Sequence, residues 1–216
     1  RRNFKESQPV MREQFLVGLI EGRVTEERLR VQAPLFDINL DDSDSYAVAL
    51  VRADYAYIDN DALRREEELI PISLKCTAEE ILKNYCEFTV FLYSDSVAII
   101  AKLKKESGIM PLFNGINEIC KAAQRILSLK VMAGVGTVCK RLLDIRHSYR
   151  EAENAMDYSA TIGDGKAIYI ADIEPDTSVK LQFDEHDERE IANVIKMGSE
   201  EDITNKINTL FSRFES

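Results

Sequence analysis

Residues 88–93 (FTVFLY) and 97–103 (VAIIAKL) are two apolar, β-branched runs on either side of Ser94-Asp95-Ser96. Three turn-forming residues between two such runs predict a β-hairpin, which forces those strands antiparallel. Any fold for this chain has to be built around that pair. Residues 46–53 (YAVALVRA) and 131–138 (VMAGVGTV) are nearly continuous apolar runs. They read as strands covered on both faces, because a strand with one wet face alternates. Residues 167–170 add a short fifth strand after the turn Gly163-Asp164-Gly165.

Between these runs the period changes to that of a helix. Met11, Phe15 and Leu19 recur four apart, with Leu16 and Ile20 beside them, and Gly22 follows as a stop. Thr25-Glu26-Glu27-Arg28 resembles a capping box at the start of a second helix. A third helix has Asn60-Asp61 as a possible start and carries Ile81, Leu82 and Tyr85, with Pro71 breaking or restarting it. Ile116, Ile119, Ala123 and Ile126 share one helical face; Leu142, Ile145, Tyr149, Ala152 and Met156 share another. The order β-α-β-β-α-β-α-β predicts an α+β fold, a mixed sheet with packed helices of the split-βαβ, ferredoxin-like type. The expected organisation is an N-terminal helical linker (1–40), a central domain (41–175) and a C-terminal helical segment (176–216). In the last, Ile191, Val194, Ile203, Ile207, Leu210 and Phe214 mark two helices.

Composition excludes several functions. The chain has 28 basic and 38 acidic residues, a net charge of −10, so it does not coat nucleic acid or anionic lipid by bulk charge. No apolar run approaches the roughly 18 residues of a membrane span. The start, Arg1-Arg2-Asn3-Phe4, is neither a Met start nor a signal peptide, which suggests a piece of a longer protein. Cys76, Cys86, Cys120 and Cys139 form no C-x-x-C. They allow three disulfide pairings, or stand as reduced, buried thiols of a cytosolic protein.

The usual motifs of catalysis fail on inspection. Gly163-Asp164-Gly165-Lys166 lacks the phosphate loop's first glycine, with Ala160 there, and its hydroxyl residue, with Ala167 there. Gly134-Val135-Gly136 opens like a dinucleotide fingerprint, but Cys139 holds the third glycine position. A strand closely approached by other backbone explains it better. His147 and His186 have no partner at ligand spacing, and no G-x-S-x-G is present. The acidic run 184–190 reads as a solvated linker.

A pattern carries more than any motif. Residues 131–136 (VMAGVG), 148–152 (SYREA) and 170–175 (IADIEP) resemble, in that order, the middle region of YesN-type response regulators. Residues 12–16 (REQFL) and 19–22 (LIEG) resemble the lead-in to it. In that family a receiver domain comes first and an AraC-type helix-turn-helix last, and the middle region is similar to a degenerate diguanylate cyclase (GGDEF) domain. Active cyclases carry Gly-Gly-Asp-Glu-Phe at the hairpin turn; here Tyr93-Ser94-Asp95-Ser96-Val97 stands, so only the aspartate remains. The first-strand metal carboxylate of the family falls at Arg52, with Asp54 at the second position.

The resemblance implies a degenerate cleft around Arg52, Asp54, Ser94 and Asp95, with no catalytic residues, no metal and no cofactor. A guanidinium at Arg52 repels the cation that two-metal phosphoryl chemistry needs. Arg52 either meets an anionic ligand or is an end-of-strand residue paired with an acid. The expected role is signal relay within a cytosolic, homodimeric transcription regulator. DNA and a sensor histidine kinase would be reached only through domains outside this chain, and no membrane is involved. The alternatives are a small-molecule or nucleotide sensor without turnover, and an enzyme of unrecognised type. The flanking helices are the levers of a relay, packed either on the domain or on a second copy.

Overall fold

In the computed structural model, residues 2–38, 44–57 and 67–173 are described, with side chains from residue 8 onward. Five strands form one sheet: β1 (Asp44–Ala53), β2 (Glu87–Tyr93), β3 (Ser96–Lys104), β4 (Val131–Val135) and β5 (Ala167–Tyr169). Their order is β2-β3-β1-β4-β5. The first three neighbouring pairs are antiparallel and β4–β5 is parallel. This is the mixed α+β sheet that the strand and helix periods predict.

Among the described residues five α-helices cover it: α1 (Arg2–Ile20), α2 (Glu26–Gln32), α3 (Ile70–Leu82), α4 (Met110–Leu127) and α5 (Ile145–Ile162). The uninterrupted apolar run of β1 now has its reason. Ala47, Ala49, Val51 and Ala53 join one core with Leu74 and Leu82 of α3 and Ile116 and Ile119 of α4. Tyr46, Val48 and Leu50 alternate to the other face, into a core with Phe15, Leu16 and Leu19 of α1 and Ile145 and Met156 of α5. Both faces are dry, so both alternating sets are apolar.

Several expectations shift in detail. Ile126 is 66% exposed and Met11 is 42% exposed; Leu112 and Cys120 complete the core face of α4, while that of α1 is made by Phe15, Leu16, Leu19 and Ile20, all in the expected stripe. Thr25 caps α2 by accepting from the Arg28 amide, but an arginine at that third position leaves the reciprocal half of a capping box unmade. Pro71 sits at the start of α3, where its missing N–H is no loss. Asn60-Asp61 lies outside the described residues, as do the acidic run and the C-terminal helical signals. Residues 1–173 pack as one compact unit. Four large side chains of α1 sit in the second core, so this helix packs on the domain itself.

All four cysteines are free thiols, but Cys76 is exposed rather than buried. Burial pushes the Cys86 thiol up to about 11 and those of Cys120 and Cys139 up to about 12. The thiolate is the reactive form. Native protein at neutral pH should therefore react with Ellman's reagent rapidly at one thiol, lost in Cys76→Ser, and at four after denaturation. Rapid reaction of a second native thiol contradicts this burial.

Candidate functional site at the hairpin end of the sheet

The tight turn between β2 and β3 is Ser94-Asp95, and Ser94 holds φ 50. That is a conformation glycine adopts freely and serine rarely. Tyr93 pairs with Ser96 across the turn, and Val51 pairs with Val97. One further step along the same register sets Arg52 opposite Ser96. On its other side Arg52 pairs with Met132 of β4. Tyr93, Ser96, Arg52 and Met132 thus make one row across four strands. Strand alternation puts that row on the face covered by α1 and α5.

Arg52 is half-buried, and its Nη2 lies 3.9 Å from Oδ1 of Asp157 on α5, an exposed carboxylate. So long and wet an ion pair contributes little to stability. Ser96, where the cyclase pattern has an acid, is buried. Asp54 is occupied locally: its amide donates to the Lys130 carbonyl, and its carboxylate accepts from the Ala56 amide. Asp95 lies close enough to act on Tyr55. Burial raises that phenol most, Asp95 and Glu67 raise it further, and Arg52 opposes them. Of the four residues named from sequence, the geometry links two through Tyr55. Arg52 and Asp95 bear on a common neighbour, Asp54 caps a turn, and Ser94 supplies backbone shape.

A magnesium-binding pair does not fit here. The two places where the cyclase pattern has metal-facing acids hold a guanidinium and a buried hydroxyl. Among the described residues no three His, Cys, Asp or Glu side chains gather as a ligand set.

What the sequence reading missed is a tyrosine–glutamate latch beside that row. Tyr93 donates from its hydroxyl to Glu21 Oε1 (2.9 Å), and Glu21 is also paired with Arg23. Tyr149 of α5 donates to Glu153 Oε1 (2.6 Å). The two rings meet edge to face at 5.9 Å. The end of α1, the strand entering the turn, and α5 are therefore joined through two tyrosines. Tyr149–Glu153 was legible as an i, i+4 pair; Glu21–Tyr93, 72 residues apart, was not.

The bond from Tyr93, then the Arg23 pairing, holds the Glu21 carboxyl below its ordinary value of 4.5. A depressed folded-state value means stability that is present above the ordinary value and lost as pH falls through the folded one. Tyr93→Phe should therefore destabilise by about 1 kcal/mol at pH 7. The gap from the parent protein, read in urea melts, should narrow toward pH 3. A gap independent of pH would remove Glu21 from the account.

The family phrases also acquire a physical meaning. Gly134 and Gly136 lie under α5, whose backbone at Ser148, Ala152 and Met156 occupies the space a Cβ would take. Ser148 Oγ accepts the β1 amide of Val48 (2.8 Å), and Glu151 Oε2 accepts the Thr137 amide (2.8 Å). Ser159 accepts from Ala133 and donates to the Lys166 carbonyl (3.0 Å). VMAGVG and SYREA are the two halves of one helix–sheet joint.

No curated protein matches the chain. A solved X-ray structure, described as an EAL/GGDEF domain protein from M. capsulatus, is 12% identical over 60% of this chain and 86% of its own, with a TM-score of 0.43. A family model described as "GGDEF-like domain" matches residues 21–158, more than half of the sequence. That span runs from the Glu21 end of the latch through β1, the hairpin and β4 to the helix that locks onto them, and on it the chain belongs to the GGDEF-like domain family.

Proposed function

We propose that this GGDEF-like domain is a non-catalytic relay in a cytosolic two-component response regulator that controls transcription. The observation that carries the reading is the row at the hairpin end. Where a cyclase needs two acids on one face of the sheet, this chain has Arg52 beside Ser96, under a turn without glycine. The same end instead joins α1, β2 and α5 through Tyr93 and Tyr149. A shift of α1 is therefore felt at the turn and at α5, as a two-state packing change requires. The order of the phrases at 12–22, 131–136, 148–152 and 170–175 supports a YesN-type setting, with a receiver before the domain and an AraC-type helix-turn-helix after it. Homodimerisation belongs to the same reading.

Incubation of the purified protein with GTP and magnesium or manganese, followed by chromatography, should yield no cyclic dinucleotide above the enzyme-free control. Sustained turnover would sink the proposal. The response-regulator setting fails separately if the full coding region holds no receiver and no helix-turn-helix. A second reading, a sensor that binds an anion without turnover, is favoured by the weak pairing of the half-buried Arg52. It predicts a thermal shift with GTP that Arg52→Gln removes.

A further inference from the structure

At the end of the sheet away from the hairpin turn, α1 bridges a cavity of about 130 Å³. Its inner wall is apolar: Leu16 and Leu19 of α1 face Ile100 of β3 and Leu142. Its rim is polar and comes from the sheet. Thr89 stands opposite Ile100, and Glu87 opposite Lys102, in the β2–β3 register. The Lys102 ammonium is 2.8 Å from Asp44 and 3.8 Å from Glu87, so its charge is already answered. Asp37, exposed at φ 58, adds a further carboxylate to the lining. Asp44 lies outside the lining, so the rim itself carries Asp37 and Glu87 against Lys102, whose charge Asp44 answers from behind; the four groups together sum to −2.

We infer that this cavity binds a small amphipathic amine, a single ring or short branched chain ending in an ammonium group. Size sets the body, since an apolar cavity of about 150 Å³ accommodates benzene. Charge sets the end: an ammonium is drawn to the carboxylate-rich rim, whereas a carboxylate is repelled by it. Leu16 and Leu19 belong to α1, which precedes the span matched by the family. The rest of the lining lies within that span, at the opposite end of the sheet from the hairpin row. A ligand seated there touches α1 and the sheet at once and holds the helix down. This supplies an input for the relay proposed above, yet the binding does not depend on that role. Cyclase turnover would remove the relay and leave the site standing.

Methyl-labelled full-length chain titrated with benzylamine, and separately with phenylacetate, tests the site. Benzylamine should shift the Leu16, Leu19, Ile100 and Leu142 methyls saturably in a roughly millimolar range, as expected for so small a ligand. Phenylacetate should not. Asp37→Asn, which keeps a residue tolerant of positive φ, should weaken benzylamine binding two- to five-fold. Ile100→Phe, which fills the cavity, should abolish it; unchanged Leu74 and Ile116 methyls report that this variant is folded. If it does not fold, Thr89→Phe at the half-buried rim serves the same purpose. Amide exchange in α1 should slow at saturation. Absent or unsaturable benzylamine shifts, an equal response to phenylacetate, or undiminished binding in the filled variant overturns the inference.

Discussion

Gly136→Ala is expected to destabilise the domain by at least about 3 kcal/mol, at or beyond the upper end of ordinary overpacking. The added methyl would lie inside the contact distance of the Ser148 carbonyl and hydroxyl. Neither can yield cheaply. The carbonyl is helix backbone, and the hydroxyl is committed to the Val48 amide. Relief requires α5 to lift from β4, which uncovers Ile145, Ala152 and Met156 and strands a buried amide. Gly134→Ala should behave alike, since its methyl would meet the backbone of Ala152 and Met156. Gly108→Ala is the control: it has φ 56 but nothing within 4 Å, so only the backbone penalty of about 1 kcal/mol applies. Urea denaturation of the three variants decides the matter. Three similar, small losses would mean that α5 is not seated as closely as the glycines imply.

Phe15→Ala is expected to cost about 3–5 kcal/mol, the usual range for truncating a fully buried phenylalanine. Phe15 is 1% exposed and packs against Phe36 with ring centroids 5.3 Å apart. The location of the loss matters as much as its size. Because α1 covers Leu50, Phe91 and Ile100 of the sheet, those strands should lose amide-exchange protection together with the helix. Loss confined to residues 2–20 would restore α1 to the status of a detachable linker. The same variant should disturb the Tyr93–Glu21 bond, since Glu21 follows directly on the buried Leu19 and Ile20.

The hairpin, the two-sided strands and the helical periods were legible because each is a local rule. Side chains two apart share a strand face, and those three or four apart share a helix face. The same rules assigned Ile126 to the core of α4 and failed, because the buried stripe runs from Ala123 to Leu127, four residues on, and leaves Ile126 beside it in solvent. In the candidate site, Arg52 was legible as a cation in an acid's place. Its true neighbours were not. Ser96 becomes its partner by strand register, and Asp157 by the docking of α5.

The sequence by itself determined the element types, the antiparallel hairpin and the loss of the acidic pair, all consequences of residue order and side-chain chemistry over short separations. Only the tertiary structure decided that α1 belongs to the core and that Tyr93 latches it to the turn. It alone placed two glycines and one serine as the seat of α5. Those contacts join residues tens of positions apart, and their geometry follows from how closely two backbones can approach, which no local period encodes.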